Sequence, residues 1–132
     1  MKNQIQMPES VLETKDNPFA GLDAMAKEIS NCAEEHGWWE KECEIPEIIA
    51  LIHSEISEAF ESARKGEALY WEKPPETPGA LPKPEGAATE LVDAIIRILG
   101  WMGHYNIPVE DIIRRKHEYN KHRAYRHGNK KY

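Results

Sequence analysis

Two short segments carry acids three residues apart, Glu55-Ile56-Ser57-Glu58 and Glu90-Leu91-Val92-Asp93. On an α-helix that spacing separates two side chains by about 60°, so each pair projects to one side. If the two helices are antiparallel neighbours, the four carboxylates can meet. They cannot all stay ionised near neutral pH without a counter-charge, because each raises the pKa of the others. A hard divalent cation supplies that charge and prefers oxygen ligands; Mg²⁺ keeps several waters and takes substrate phosphates as well. Glu55, Glu58, Glu90 and Asp93 thus read as metal ligands in phosphate chemistry. The alternative is a solvated face, with Asp93 and Arg97 as an ordinary i,i+4 pair. A di-iron carboxylate centre needs Glu-x-x-His on two helices, and no Glu of this chain has a His three residues later.

A second cluster follows near the C-terminus, Lys116-His117-Glu118-Tyr119-Asn120-Lys121-His122-Arg123-Ala124-Tyr125-Arg126-His127-Gly128. Lys116, Asn120, Arg123 and His127 fall at i, i+4, i+7 and i+11, one polar stripe if the helix persists that far. Lysine and arginine suit a polyphosphate, and asparagine can fix an oxygen by hydrogen bonding. The plainer reading is a basic helix end complementing its own dipole. Residues 114–131 hold eight of the 17 Lys/Arg and one acid, about +7, inside a chain of net charge −6, so the remainder carries about −13. An acidic body with a basic tail excludes non-specific DNA binding by the whole surface. It leaves a nucleic-acid-binding arm, or cations brought beside an acidic site to hold an anion.

The elements that must position these residues are helical. At 132 residues the chain suits one domain. No apolar run approaches the ~20 residues that span a bilayer, and no apolar segment follows the N-terminus as a secretory signal would require, so no membrane partner and a cytoplasmic location are expected. Cys32 and Cys43 are too few for a disulfide framework or a four-cysteine zinc site. Helices are expected from about Pro18 to Glu35 (Asn17 as N-cap, Gly37 at the stop), Pro46 to Lys65, Glu85 to Tyr105 and Pro108 to Tyr125, each with a proline near its start. Five of nine prolines lie within 74–84, so 66–84 reads as a long proline-rich loop; no strand is expected. An all-α, four-helix bundle follows, with 1–16 as an N-terminal extension, 17–128 as the domain and 129–132 as a tail. The third helix has a main stripe of Ala88, Leu91, Val92, Ile95, Leu99 and Met102, and a second apolar flank of Ala87, Ala94, Ile98 and Trp101. One bundle core covers one stripe, so the extra flank predicts burial in a homo-oligomer; the alternative is that the proline-rich loop or the N-terminal segment covers it.

The chain resembles the MazG-like, all-α nucleoside triphosphate pyrophosphohydrolases. The resemblance rests on His53-Ser54-Glu55-Ile56-Ser57-Glu58-Ala59-Phe60-Glu61, then Lys83-Pro84-Glu85-Gly86, then Glu90-Leu91-Val92-Asp93-Ala94-Ile95-Ile96-Arg97-Ile98, and on Lys116, Asn120, Arg123 and Tyr125-Arg126-His127-Gly128, in that order over roughly residues 20–128. It implies a four-helix MazG-like bundle, a homodimer or dimer of dimers, and Mg²⁺ (Mn²⁺ substituting) held by Glu55, Glu58, Glu90 and Asp93. It implies cleavage of a nucleoside triphosphate to monophosphate and pyrophosphate, in nucleotide-pool house-cleaning. Lys116, Asn120, Arg123, Arg126 and His127 would hold phosphates. Trp38 and Trp39, with Asn31 and His36, would contact the base, although a hydrophobic plug at a bundle end explains the tryptophans equally well. Many members carry a further Glu where this chain has Ser54, which leaves the general base open; Glu61 is a substitute to consider. Tyr70 and Trp71 stand at the loop entrance as lid residues. The alternative function is a non-catalytic helical interaction or nucleic-acid-binding module using the basic segment.

Overall fold

The computed structural model describes residues 17–132; the expected N-terminal extension, 1–16, lies outside the described residues. The described part is mostly helical: α1 (Leu22–Glu35), α2 (Ile45–Arg64), α3 (Ala87–His104) and α4 (Val109–Lys121), with a two-stranded ribbon, β1 (Trp71–Lys73) and β2 (Lys83–Glu85), between α2 and α3. Asn17 does cap, its Oδ1 accepting the Phe19 N–H at 3.0 Å. It caps only a preliminary turn, because Gly21 at φ 94° interrupts the helical backbone and α1 starts after it. Pro46 sits in the first turn of α2, where a missing N–H costs nothing. Gly37 (φ 80°) and Gly66 (φ 69°) stand just beyond α1 and α2, the left-handed position that ends helices.

Two expectations are corrected here. The segment 66–84 is not a structureless loop: β1 and β2 pair antiparallel, with Trp71 opposite Glu85, Glu72 opposite Pro84 and Lys73 opposite Lys83. Both strands of a two-stranded ribbon are edges, so Pro84 costs no ladder bond that a central strand would need, and the other prolines fall at its tip. The fourth helix stops at Lys121 rather than Tyr125. Beyond it, Arg126, His127 and Asn129 take positive φ and the chain makes only a turn at Arg126–Asn129. The stripe of Lys116, Asn120, Arg123 and His127 is therefore broken after Asn120.

α3 is the centre, packing on α1 along one side and α2 along another, and α4 leans on α1. Both packings are antiparallel. On α1, Ala26 meets Gly103 and Ile29 meets Gly100. On α2, Glu55 meets Arg97, while Cys43, just before the helix, accepts a 2.8 Å bond from the Trp101 indole. A side chain at Gly103 would collide with the Ala26 carbonyl, so glycine is what lets α1 and α3 close. Ala26, Leu99 and Val109, with Leu22, Ile29 and Met102 against them, make the core there. Glu110 ties α4 to α1, its N–H donating to Asp23 Oδ1 at 3.1 Å and its Oε2 accepting the Asp23 N–H at 3.2 Å.

The division of α3 into a packed stripe and an extra flank is corrected: Leu99 and Met102 of the main stripe do pack in the core, but other members of both stripes differ from expectation. Ala87 and Ala94 of the supposed extra flank are buried, and Trp101 is half-buried, because small side chains allow α2 to approach. Leu91, Val92 and Ile95 of the main stripe are about half exposed, as are Ile49 and Ile56 on α2; Phe60 there is more exposed still. No helix among the described residues is long and apolar enough to cross a membrane.

Candidate metal centre

Antiparallel packing of α2 on α3 sets the two acidic pairs against each other. Residue numbers rise along one helix as they fall along the other, so Glu55 lies at the level of Asp93 and Arg97 and Glu58 at that of Glu90. Buried alanines at 59, 87 and 94 keep the helices close at this level. Glu55 is only 7% exposed, Glu90 is intermediate and Glu58 is exposed. One carboxylate oxygen from each of Glu55, Glu58 and Glu90 lies within 4.8 Å of the others.

Charge follows the geometry. Burial raises the Glu90 pKa above the ordinary carboxylate value, and the charges of Glu58, Asp93 and Glu55 and a hydrogen bond with Glu58 add to it. Burial likewise raises Asp93, with Glu55 and Glu58 adding while Arg97 and Lys83 oppose. Asp93 is thus electrostatically part of the cluster. The expected i,i+4 pair of Arg97 with Asp93 is not formed; Arg97 Nε donates instead to Glu55 Oε1 across the helix interface at 2.5 Å. A buried carboxylate needs such a partner. The remaining oxygens form an all-oxygen donor set with excess negative charge, the set that a hard divalent cation takes.

The other candidates sit elsewhere. Glu61 pairs with Arg64 at 3.5 Å on the exposed side of α2, and Ser54 is exposed. Lys116 lies over the Tyr119 ring at 5.1 Å, and Arg123 at 5.8 Å from the same ring. Arg123 and His127 line a hollow of about 400 Å³ with Tyr119, His122, Ala124 and Gly128. Arg126 lies over Tyr125. Among the described residues no hydrogen bond or ion pair joins Lys116, Asn120, Arg123, Arg126 or His127 to the four carboxylates of their own chain.

At the end of α1, Asn31 and His36 are exposed, His36 Nδ1 standing 2.7 Å from the Cys32 carbonyl. Trp38 is exposed, whereas Trp39 donates its indole N–H to the Ser30 carbonyl at 3.1 Å and stacks on His104 at 4.3 Å. Of this group, Trp38 has the freer ring. Sequence reasoning gave no site role to Lys83 and paired Arg97 only with Asp93. The signal for both was present as a cation on either side of the second acidic motif, but which carboxylate each meets depends on helix register. The chain matches no family model, no curated protein and no solved structure.

Proposed function

We propose that the protein hydrolyses a nucleoside triphosphate to the monophosphate and pyrophosphate, as a nucleotide-pool house-cleaning enzyme, with Mg²⁺ or Mn²⁺ held by Glu55, Glu58, Glu90 and Asp93. The observation that carries this reading is the convergence of Glu55, Glu58 and Glu90 from two helices to within 4.8 Å. The motif order shared with the MazG-like hydrolases supports it. A cation held by these residues would supply charge neutralisation of the triphosphate and a lowered pKa for an attacking water.

The chain's own residues do the rest. Arg97 occupies Oε1 of Glu55 and so leaves Oε2 for the cluster. Glu58 is exposed and adjoins Glu90, which makes it the acid best placed to accept the water's proton in a chain with serine at position 54. Cations stabilise charge on the departing pyrophosphate. Lys116, Asn120, Arg123, Arg126 and His127 have no bond to the carboxylates within one chain, and in this reading they reach the substrate from a second copy. The exposed Leu91, Val92, Ile95, Ile96 and Ile98 of α3 and Ile49, Ile56 and Phe60 of α2 support such a copy, since apolar patches of this kind mark association surfaces. The four-helix bundle of the resemblance, formed by α1–α4 of each copy and assembled as a homo-oligomer, belongs to the same reading.

The test is a panel of standard and altered nucleoside triphosphates with Mg²⁺, resolving pyrophosphate from orthophosphate, beside a Glu90→Gln control. Equimolar monophosphate and pyrophosphate, lost on chelation and in the variant, is expected. Orthophosphate release, or activity that ignores a chelator, overturns the reading. Salt-sensitive nucleic-acid affinity that survives loss of Glu55 and Glu90 would put a binding module in its place.

A further inference from the structure

The ribbon between α2 and α3 is unexplained by the carboxylate cluster, and one of its faces carries two lysines. Lys73 and Lys83 are directly opposed across the two strands, so they share a face with Trp71 and Glu85, while Glu72 and Pro84 point the other way. Like charges directly opposite destabilise a strand pair. Here each lysine is offset by its own acid, Lys73 Nζ to Glu76 Oε1 at 2.8 Å and Lys83 Nζ to Glu85 Oε1 at 2.7 Å.

The foot of the ribbon is fixed to the metal-site helix. Ala88 N–H donates to the Leu69 carbonyl at 2.9 Å. Gly86, at φ 104°, passes so close that a Cβ there would lie 2.5 Å from the Leu69 carbonyl oxygen. Glu90 follows one turn later, its N–H donating to the Gly86 carbonyl at 3.2 Å. Lys83 is therefore carried on the strand that runs directly into the helix of Glu90 and Asp93, and their charges reach it. Its ammonium pKa is raised by the Glu85 bond first and then by the charges of Glu85, Glu90 and Asp93. The Lys83 side chain remains 71% exposed. An ammonium has three donors, so two are left beyond the one given to Glu85. Arg97, the other cation at the cluster, already spends its Nε on buried Glu55.

We propose that Lys83 binds the pyrophosphate portion of the substrate, reaching from the ribbon over the carboxylates to oxygens that gain charge as the α–β bond breaks. This rests on the triphosphate reading above. It gives one chain a phosphate-binding cation of its own, beside those expected from α4 and the tail. Glu85 restrains the ammonium through its 2.7 Å bond until the phosphate takes over.

The experiment titrates the full chain with pyrophosphate in saturating Mg²⁺ by calorimetry, for wild type, Lys83→Gln and Lys83→Arg, with thermal midpoints to confirm folding. Loss of one charge-assisted bond predicts about tenfold weaker pyrophosphate binding in Lys83→Gln, largely restored in Lys83→Arg. Affinity for the nucleoside monophosphate should be unchanged, KM for the triphosphate should rise and kcat should fall with it, and Mn²⁺ uptake without nucleotide should not weaken. If wild type hydrolyses triphosphates and Lys83→Gln binds pyrophosphate as tightly, this inference is overturned and the enzymatic reading stands. Loss of monophosphate affinity instead, or of Mn²⁺ uptake, assigns Lys83 to another role and also overturns it. A wild type that hydrolyses no triphosphate removes both.

Discussion

Glu55 is buried and hydrogen-bonded across a helix interface, whereas Lys116 and Asn120 lie on the exposed side of α4 and Arg126 and His127 beyond its end. The acidic residues owe their position to the packing of α2 on α3; the basic ones owe theirs to a helix that leans on α1 and then breaks. Packing fixes geometry to fractions of an ångström because cores are dense. A charged turn in solvent has no such constraint. A cluster that must hold a cation in one arrangement therefore belongs in the first setting. Cations that follow a polyphosphate can work from the second.

The largest expected effect tests that contrast directly. Glu55→Gln or Glu90→Gln should lower triphosphate hydrolysis at least about a hundredfold, since even residues that only support metal ligands typically cost 10–100-fold. Lys116→Ala or Arg123→Ala should cost about tenfold, the loss of one charge-assisted contact. Steady-state rates under saturating Mg²⁺ measure both. Equal losses in the two sets would mean that the basic segment is as tightly built into the site as the acids, and the contrast would fail.

The next effect joins the two regions. A glutamate at Ile95, about half exposed on the apolar face of α3, should leave the single chain folded but place a charge in any self-association surface. Sedimentation of wild type is expected at a multiple of the chain mass and of Ile95→Glu at the single-chain mass, with hydrolysis reduced as the second copy's basic residues are lost. A wild type that sediments as one chain would separate the basic segment from the site.

How far the sequence foretold these two regions follows the same division. Four helices and the side-by-side acidic pairs were legible because helix periodicity, proline starts and glycine stops are local signals. The division of packing between the two α3 flanks was not. Ala87 and Ala94 look like weaker apolar residues than Leu91 and Ile95, yet their small size is what admits α2, and only the pairing of two helices reveals that. Arg97 was assigned to its near neighbour Asp93, when the bond to Glu55 depends on register between helices. The ribbon escaped notice because each strand is three residues long, too short for alternation to register, and prolines dominate the intervening tip. The break after Lys121 was equally hidden, since His127 and Asn129 at positive φ carry no distinctive sequence signal there.

A smaller effect concerns protonation. Glu90 binds its proton more tightly folded than unfolded, because burial and the charges of Glu58, Asp93 and Glu55 raise its pKa. Its contribution to folding is complete below the ordinary carboxylate range and is lost as pH rises through the raised value. Gln at this position imitates the protonated acid. In metal-free protein, Glu90→Gln should therefore match wild type in thermal midpoint at acid pH and become progressively more stable than wild type as pH rises above the ordinary glutamate value. Saturating Mg²⁺ should reverse the order by stabilising wild type alone. A difference that does not change with pH would show that the carboxylates are well solvated.

The smallest effect belongs to the basic side. Glu118 accepts from His122 at 2.9 Å and from Lys121 at 3.3 Å, and these bonds lower its pKa. A lowered carboxyl favours folding above its ordinary range and loses that contribution as pH falls through the folded value, the opposite direction to Glu90. Both partner side chains are more than half exposed, so solvent screens the pairs and side-chain entropy offsets what they gain. Glu118→Gln should then leave the thermal midpoint unchanged at neutral pH, with or without Mg²⁺, although the formal interactions outnumber those that hold Glu55. A clear loss of stability would mean that another surface covers this end of α4 in solution. The basic segment would then be packed as the acidic cluster is, and the difference between the two regions would narrow to one of sign.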